Sequence, residues 1–252
     1  MRLYDLLKRA TLRSLPEPLL QPLKKRHYAR VLDGDGTAEP EAQLLPHLVH
    51  AGEVVMDLGA NFGSYTTLLS KLVGEQGTVI SVEPVPPTCD LLRYSVEHHG
   101  LANVKVVAAA VSDREGTVIM EVPRYPSGGE NYYQAAVVDG DQRYGLRRFT
   151  VPATTVDAIC RDPVDFIKCD VEGHEAVVVR GARRTIQSYR PAWLVEVSRR
   201  EVLDTMQGFG YEPFLWDGAV LRRHEVFERS TNFFFLTGAH RARLEAEGVQ
   251  VS

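Results

Sequence analysis

Two groups of residues in this chain have the types and spacing to do chemistry. The first is Asp57-Leu58-Gly59-Ala60-Asn61-Phe62-Gly63, with Glu83 closing the apolar run TVISVEP about 20 residues beyond that glycine turn. The second is IKCDVEGHE, which brings Lys168, Asp170, Glu172, His174 and Glu175 together, with Glu196 at the end of AWLVEV.

The first group reads as a ligand loop. Glycines between a buried strand and a helix let a ligand approach the backbone and let the helix pack on the strand. A dinucleotide fingerprint would need glycine at positions 61 and 64, where Asn61 and Ser64 stand. A carboxylate at Asp57 would also repel a pyrophosphate seated on the helix N-terminus. No Gly-Lys-Ser/Thr follows, which excludes a P-loop. Asp57 would instead attract a cationic amine. S-adenosylmethionine carries an α-amino group and a sulfonium and no phosphate, so the charges match. Glu83 is then placed to accept hydrogen bonds from both ribose hydroxyls. Each signal alone also suits an ordinary turn or a strand-end acid. On consecutive strands, in this order, they point to a nucleoside.

In the second group, strand alternation puts Lys168 and Asp170 on one face, with Asp170 at the carboxyl end. Glu172, His174 and Glu175 fall at the turn into a helix, and Glu196 ends the next strand on the same rim. Buried unpaired, Lys168, Asp170 and Glu196 would be costly, so they must pair, bind a ligand or reach water. An ion-pair network or helix capping by Asp170 and Glu172 is the plainer alternative. Hard oxygen ligands of this kind could hold a divalent ion, but no metal is expected to be required.

The surrounding elements position both groups. EAQLLPHLVHAG has helical apolar spacing; VVM, TVISVEP and NVKVVAAAV read as strands, with SYTTLLSKLVG and TCDLLRYSVEHHG as helices between them. VDFIKCD, a helix from about His174 and the strand AWLVEV continue the alternation. This predicts an α/β, Rossmann-like fold, with a mostly parallel central sheet and helices on both faces. From about 118 to 150 the alternation breaks into two runs able to pair as a β-hairpin, forming an insertion. Its Tyr125, Asn131, Tyr132, Tyr133, Gln134 and Tyr144 would suit a polyhydroxylated substrate, or would simply pack on the body. EPFLWDGAVLRRHEVF and NFFFLTG read as late strands. The expected organisation is a basic extension over 1–37, a domain over 38–240 and a tail over 241–252.

The 252 residues carry a net charge of −4, which gives no overall basic field for nucleic acid. The first thirty residues run against that balance, with Arg2, Lys8, Arg9, Arg13, Lys24, Lys25, Arg26 and Arg30 against Asp5 and Glu17. Such a start suits peripheral contact with an anionic membrane, or a solvated face of a helix packed on its own core. Residues 33–36, DGDG, read as a turn, not a calcium loop. No apolar run follows the start to make a secretory leader, and no stretch of about 18 apolar residues could span a membrane. Cys89, Cys160 and Cys169 lack metal spacing and fit reduced thiols in a cytoplasm.

VVMDLGANFGSYT, VISVEP, AAAVSDREG, ATTVDAI, DFIKCDVEGHEAVVVRGA and RPAWLVEV together resemble the FkbM family of methyltransferases over roughly residues 39–236. The resemblance implies a class I methyltransferase fold and methyl transfer from S-adenosylmethionine to a hydroxyl of a sugar, glycolipid or natural product. It places Asp57, Gly59, Asn61 and Gly63 in the cofactor loop, Glu83 on the ribose, and Ala110 and Val111 beside the adenine. Asp170, Glu172 and Glu196 become the acids around the reaction site. Small residues also occur in the family where His174 stands. For the proton of the attacking hydroxyl, Asp170 is the first candidate acceptor by position and His174 the second, with Lys168 orienting Asp170 or holding the substrate oxygen. Two rival readings are a Rossmann-type oxidoreductase and a non-catalytic glycan- or lipid-binding member of the fold.

Overall fold

The computed structural model describes residues 17–33, 39–125, 129–138, 147–228 and 231–252. The basic first fourteen residues, most of DGDG and Tyr144 lie outside them. Helix α1 (Glu17–Leu32) comes first, then a 3-10 turn over Pro40–His47. The body follows as β1 (Val54–Leu58), α2 (Ser64–Val73), β2 (Thr78–Val82), α3 (Pro86–His98) and β3 (Val104–Val107). Next come β4 (Ala110–Val111), β5 (Gly116–Val122), β6 (Ala136–Val138) and β7 (Arg147–Thr154). The chain continues with α4 (Val156–Ile159), β8 (Phe166–Cys169), α5 (Glu175–Arg180), α6 (Arg183–Tyr189) and β9 (Ala192–Val197). It closes with α7 (Arg200–Gly208), β10 (Glu212–Trp216), β11 (Val220–Arg223), β12 (Thr231–Leu236), α8 (Gly238–Ala246) and β13 (Gln250–Val251).

The main sheet runs β13-β11-β10-β12-β9-β8-β1-β2-β3. Its half from β3 to β9 is parallel, and β12, β10 and β11 add antiparallel pairs. The parallel strands are covered on both faces, which is why they read as unbroken apolar runs. Met56, Leu58, Ile167, Cys169, Trp193 and Val195 pack on one side with Val178, Val179, Ile186, Leu203 and Met206 of α5, α6 and α7. Val55, Phe166 and Leu194 face the other, against Tyr65, Leu69 and Val73 of α2 and Leu244 of α8. Each large apolar side chain so buried contributes about 1.5–3 kcal/mol. Alternation along β1 and β8 therefore turns Asp57 and Lys168 toward α2.

Three elements differ from the sequence expectation. NVKVVAAAV is two strands, because β3 ends at Val107 and β4 joins a second sheet ordered β4-β7-β5-β6. An apolar run carries no periodicity to mark where it changes sheets. The insertion is accordingly more than a hairpin: β5 pairs antiparallel with both β6 and β7 and packs Met120 and Val122 on Val85 and Ala110. EPFLWDGAVLRRHEVF folds back on itself as β10 and β11, turned where Asp217 Oδ1 accepts from the N–H groups of Ala219 and Val220.

The last residues are not a separate tail, since β13 pairs with β11 and Leu244 and Val249 are core residues. Helix α1 packs on α3 through buried Ala29 and Leu32. Its outward stripe holds Leu23, Arg26, His27, Arg30 and Val31. Among the described residues no helix is long and apolar enough to cross a membrane.

Candidate active site

A cleft of about 250 Å³ opens at the carboxyl ends of β1, β2 and β8, where strand order reverses about β1. Gly59, Asn61 and Gly63 form its turn, all at positive φ (78°, 51° and 104°). Asp57 is fully buried; Thr66 on α2 donates to its Oδ2 at 2.6 Å, and Oδ1 has no hydrogen-bond partner among the described residues. Burial raises the Asp57 pKa, and Lys168 only partly counters this.

Glu83 also lines the cleft, and both of its oxygens already hold backbone. Oε2 accepts from Asn61 N–H at 3.0 Å and Oε1 from Val85 N–H at 2.9 Å. One carboxylate thus ties the glycine turn to the start of α3, and each oxygen keeps a lone pair for a ribose hydroxyl. Burial pushes its carboxyl up to about 7. Ala110 and Val111 lie on the far wall with Val85 and Met120. Asp57, Gly59, Asn61, Glu83, Ala110 and Val111 are brought to one cavity, whereas Gly63 is not part of its lining.

At the rim, Lys168 Nζ donates to Asp170 Oδ2 at 3.0 Å. Burial pushes Asp170 upward, but Lys168 and a hydrogen bond from Glu196 outweigh it and hold Asp170 below the usual carboxylate range. Glu196 goes the other way, raised to about 8 by burial and by the Asp170 charge. The two carboxyl groups are thus pushed in opposite directions, Asp170 toward the charged form and Glu196 toward the neutral one. Glu172, at positive φ (48°), is raised to about 7 by burial and the neighbouring acids. Ligand oxygens of Asp170, Glu172 and Glu196 lie within 4.8 Å of one another, close enough to hold a cation together. His174 precedes α5, and its Nε2 is 3.2 Å from the Ser112 hydroxyl. Glu175 points inward, where it accepts from Gly173 N–H and from Ser198 and secures the turn.

Aromatic residues roof the cleft. Tyr28 of α1 stacks on Phe62 at 4.4 Å between centroids, and Tyr133 meets Phe62 edge-on at 6.1 Å. Tyr132 and Tyr133 line the cavity; Tyr125 and Asn131 do not, the first being exposed and the second turned to Gln134. Glu196 lies outside the lining too, behind Asp170. A second cavity of about 590 Å³ adjoins the first and shares His174 and Val137 with it. Sequence reasoning missed Glu39 and Tyr65, whose hydroxyl donates to Glu39 at 2.6 Å within the cleft wall. It also missed Tyr28. Nothing local marks these residues, because only chain packing brings them to the site.

The fold is a Rossmann-like α/β sheet with an acid at the first glycine turn and a second acid after the next strand. The chain belongs to the FkbM methyltransferase family: the description Methyltransferase FkbM domain matches residues 57–213, more than half of its length. Among curated proteins, the protein-L-isoaspartate O-methyltransferase of Methanococcoides burtonii is 36% identical over 56 residues, 22% of this chain and 28% of that protein. Among solved structures, the methyltransferase FkbM of Methylobacillus flagellatus aligns over 82% of this chain and 58% of its own, at 16% identity and a TM-score of 0.47. The fibrillarin of Aeropyrum pernix, solved with bound S-adenosylmethionine, aligns over 77% and 72% at 19% identity and a TM-score of 0.44. The chain thus spans under a third of the curated relative and under two thirds of the first of these structures.

Proposed function

We propose that this protein transfers a methyl group from S-adenosylmethionine to a hydroxyl oxygen of a polyhydroxylated acceptor, a sugar, glycolipid or hydroxylated natural product. The observation that carries the reading is Asp170, kept ionised by Lys168 and Glu196 at the rim of the cleft that holds Asp57 and Glu83. S-adenosylmethionine held by Asp57 and Glu83 would supply a methyl carbon activated by its sulfonium for in-line displacement by the acceptor oxygen.

The chain's own residues do the rest. Asp57 and Glu83 fix the donor's position, and most of the rate comes from such alignment. Asp170 receives the hydroxyl proton, with His174 as the second candidate. Lys168 holds Asp170 in place, and Glu172 and Glu196 set the charge around it. Tyr132 and Tyr133 offer faces and hydroxyls to the acceptor, and the larger cavity beyond His174 leaves it room. Three free, buried cysteines support a reducing, cytoplasmic setting. Asp57 at the turn disfavours a dinucleotide, and so the oxidoreductase reading.

The test is incubation with methyl-labelled donor and a panel of sugars, glycolipids and hydroxylated metabolites. Product mass spectrometry is expected to place the methyl on oxygen. Methyl on nitrogen or carbon, or donor binding without turnover on any acceptor, would refute the proposal.

A further inference from the structure

Helix α1 has two unlike sides. The inner one is fastened to the body: Ala29 and Leu32 are buried, and Tyr28 stacks on Phe62 of the glycine turn at 4.4 Å. On its flanks the Lys25 ammonium lies over the Tyr94 ring of α3 at 5.6 Å, and that of Lys24 over the Tyr132 ring of the insertion at 5.2 Å. Held at these places, the helix has one rotation. Its outer side presents Leu23, Arg26, His27, Arg30 and Val31, whose i, i+3, i+4, i+7, i+8 spacing makes a single stripe.

Leu23 and Val31 stand at the two ends of that stripe and are 49% and 45% exposed. Arg26 and Arg30 lie between them, and no carboxylate pairs with either among the described residues. Elsewhere on this surface Arg180, Arg222, Arg223 and Arg241 each sit on an acid. Beyond Glu17, α1 carries no acid at all. The first thirty residues hold eight lysines and arginines against two acids, in a chain of net charge −4. Open guanidinium groups set between bare aliphatic side chains suit a surface that offers anions and hydrocarbon together, as an anionic bilayer does. Nucleic acid would satisfy the arginines but leave Leu23 and Val31 unused.

We propose that the outer stripe of α1 is a docking surface for an anionic lipid bilayer. The helix lies flat on the membrane, with Arg26 and Arg30 among the headgroup phosphates and Leu23 and Val31 entering the acyl boundary. On its other side the same helix reaches the roof of the cleft, through Tyr28 with Phe62 and Tyr133. Docking therefore sets that roof about 10 Å, one helix diameter, from the lipid surface. Among the proposed acceptors this favours a glycolipid. That preference rests on the hydroxyl-acceptor reading, whereas the lipid contact does not.

Co-sedimentation of the full chain with vesicles reads the contact independently of turnover. Phosphatidylcholine vesicles with about one third phosphatidylserine should bind the wild type at least about tenfold more strongly than pure phosphatidylcholine, and added salt should release it. The double variant Arg26→Gln/Arg30→Gln should lose about tenfold or more of that binding. Leu23→Ser/Val31→Ser should lose about tenfold as well. All four side chains stand in solvent, so melting temperature and S-adenosylhomocysteine affinity should stay at wild-type values, which separates lipid contact from misfolding and from the donor site. Equal binding of the wild type to both kinds of vesicle overturns the inference and needs no variant. Full binding by the arginine variant also overturns it, handing the lipid to the basic residues that precede α1. So does loss in the arginine variant with none in the serine variant, which points to a polyanion; polyuridylate is the probe for that outcome. Methyl transfer to soluble sugars as fast as to a glycolipid held in the vesicles would overturn the acceptor preference alone.

Discussion

Gly59 is packed directly against the carbonyl group of Asp170, so closely that a β-carbon on Gly59 would overlap that oxygen. The turn from Asp57 to Gly63 and the end of β8 that leads into Asp170 are thus packed directly together. Gly59 also sits at φ 78°, which penalises any side chain. Gly59→Ala should lower stability by about 1–3 kcal/mol. It should also weaken S-adenosylhomocysteine binding at least about tenfold. Thermal melts and calorimetry measure both, and wild-type values in both would show that the turn and β8 are not so coupled.

Glu83, the proposed ribose acceptor, should make donor binding pH-dependent. Its carboxyl is raised by burial to about 7, while ribose hydroxyls bind best to the ionised form. Affinity should therefore climb from about pH 6 to pH 8 with proton release, and then level off. Glu83→Gln should flatten the climb and cost about 1–3 kcal/mol of affinity at pH 8. In the free protein the same shift acts on stability. The contribution is present below the ordinary value of 4.5 and lost as pH rises through about 7. Calorimetry in two buffers of different ionisation enthalpy counts the protons.

Asp170 and His174 should separate in kinetics. Asp170→Asn is expected to reduce kcat by about 10²–10⁴ while donor affinity changes little, as loss of a general base does. His174→Ala should cost less than about tenfold, since Asp170, held by Lys168 at the rim, is the proposed proton acceptor. The reverse order in steady-state rates would move the proton to the imidazole.

Glu196 should act as a neutral acid. Raised to about 8 by burial and by Asp170, it donates to Asp170 at neutral pH. Glu196→Gln copies that donor and should keep near wild-type kcat at pH 7. The wild-type rate should fall above pH 8, as Glu196 ionises beside Asp170, and the variant's should not. Matching alkaline limbs in both pH profiles would exclude this role.

Tyr28 should matter to the donor although it lies outside the matched domain. Its ring stacks on Phe62 of the cofactor turn. Tyr28→Ala should weaken S-adenosylhomocysteine binding by about 0.5–1.5 kcal/mol, the worth of an aromatic pair. Unchanged affinity would make α1 a bystander.

Local order was enough to reveal the parallel body, the turn from Asp57 to Gly63, Glu83 on the following strand, and Lys168 with Asp170 on one face. Strand periodicity and the carboxyl ends of buried strands assign those positions before any long-range contact forms. Three-dimensional packing alone decided that Ala110 leaves the main sheet, that Tyr28 reaches Phe62, and that Glu196 comes up against Asp170. These are contacts between residues far apart in the chain. No spacing along a polypeptide encodes such contacts until the core has closed around them.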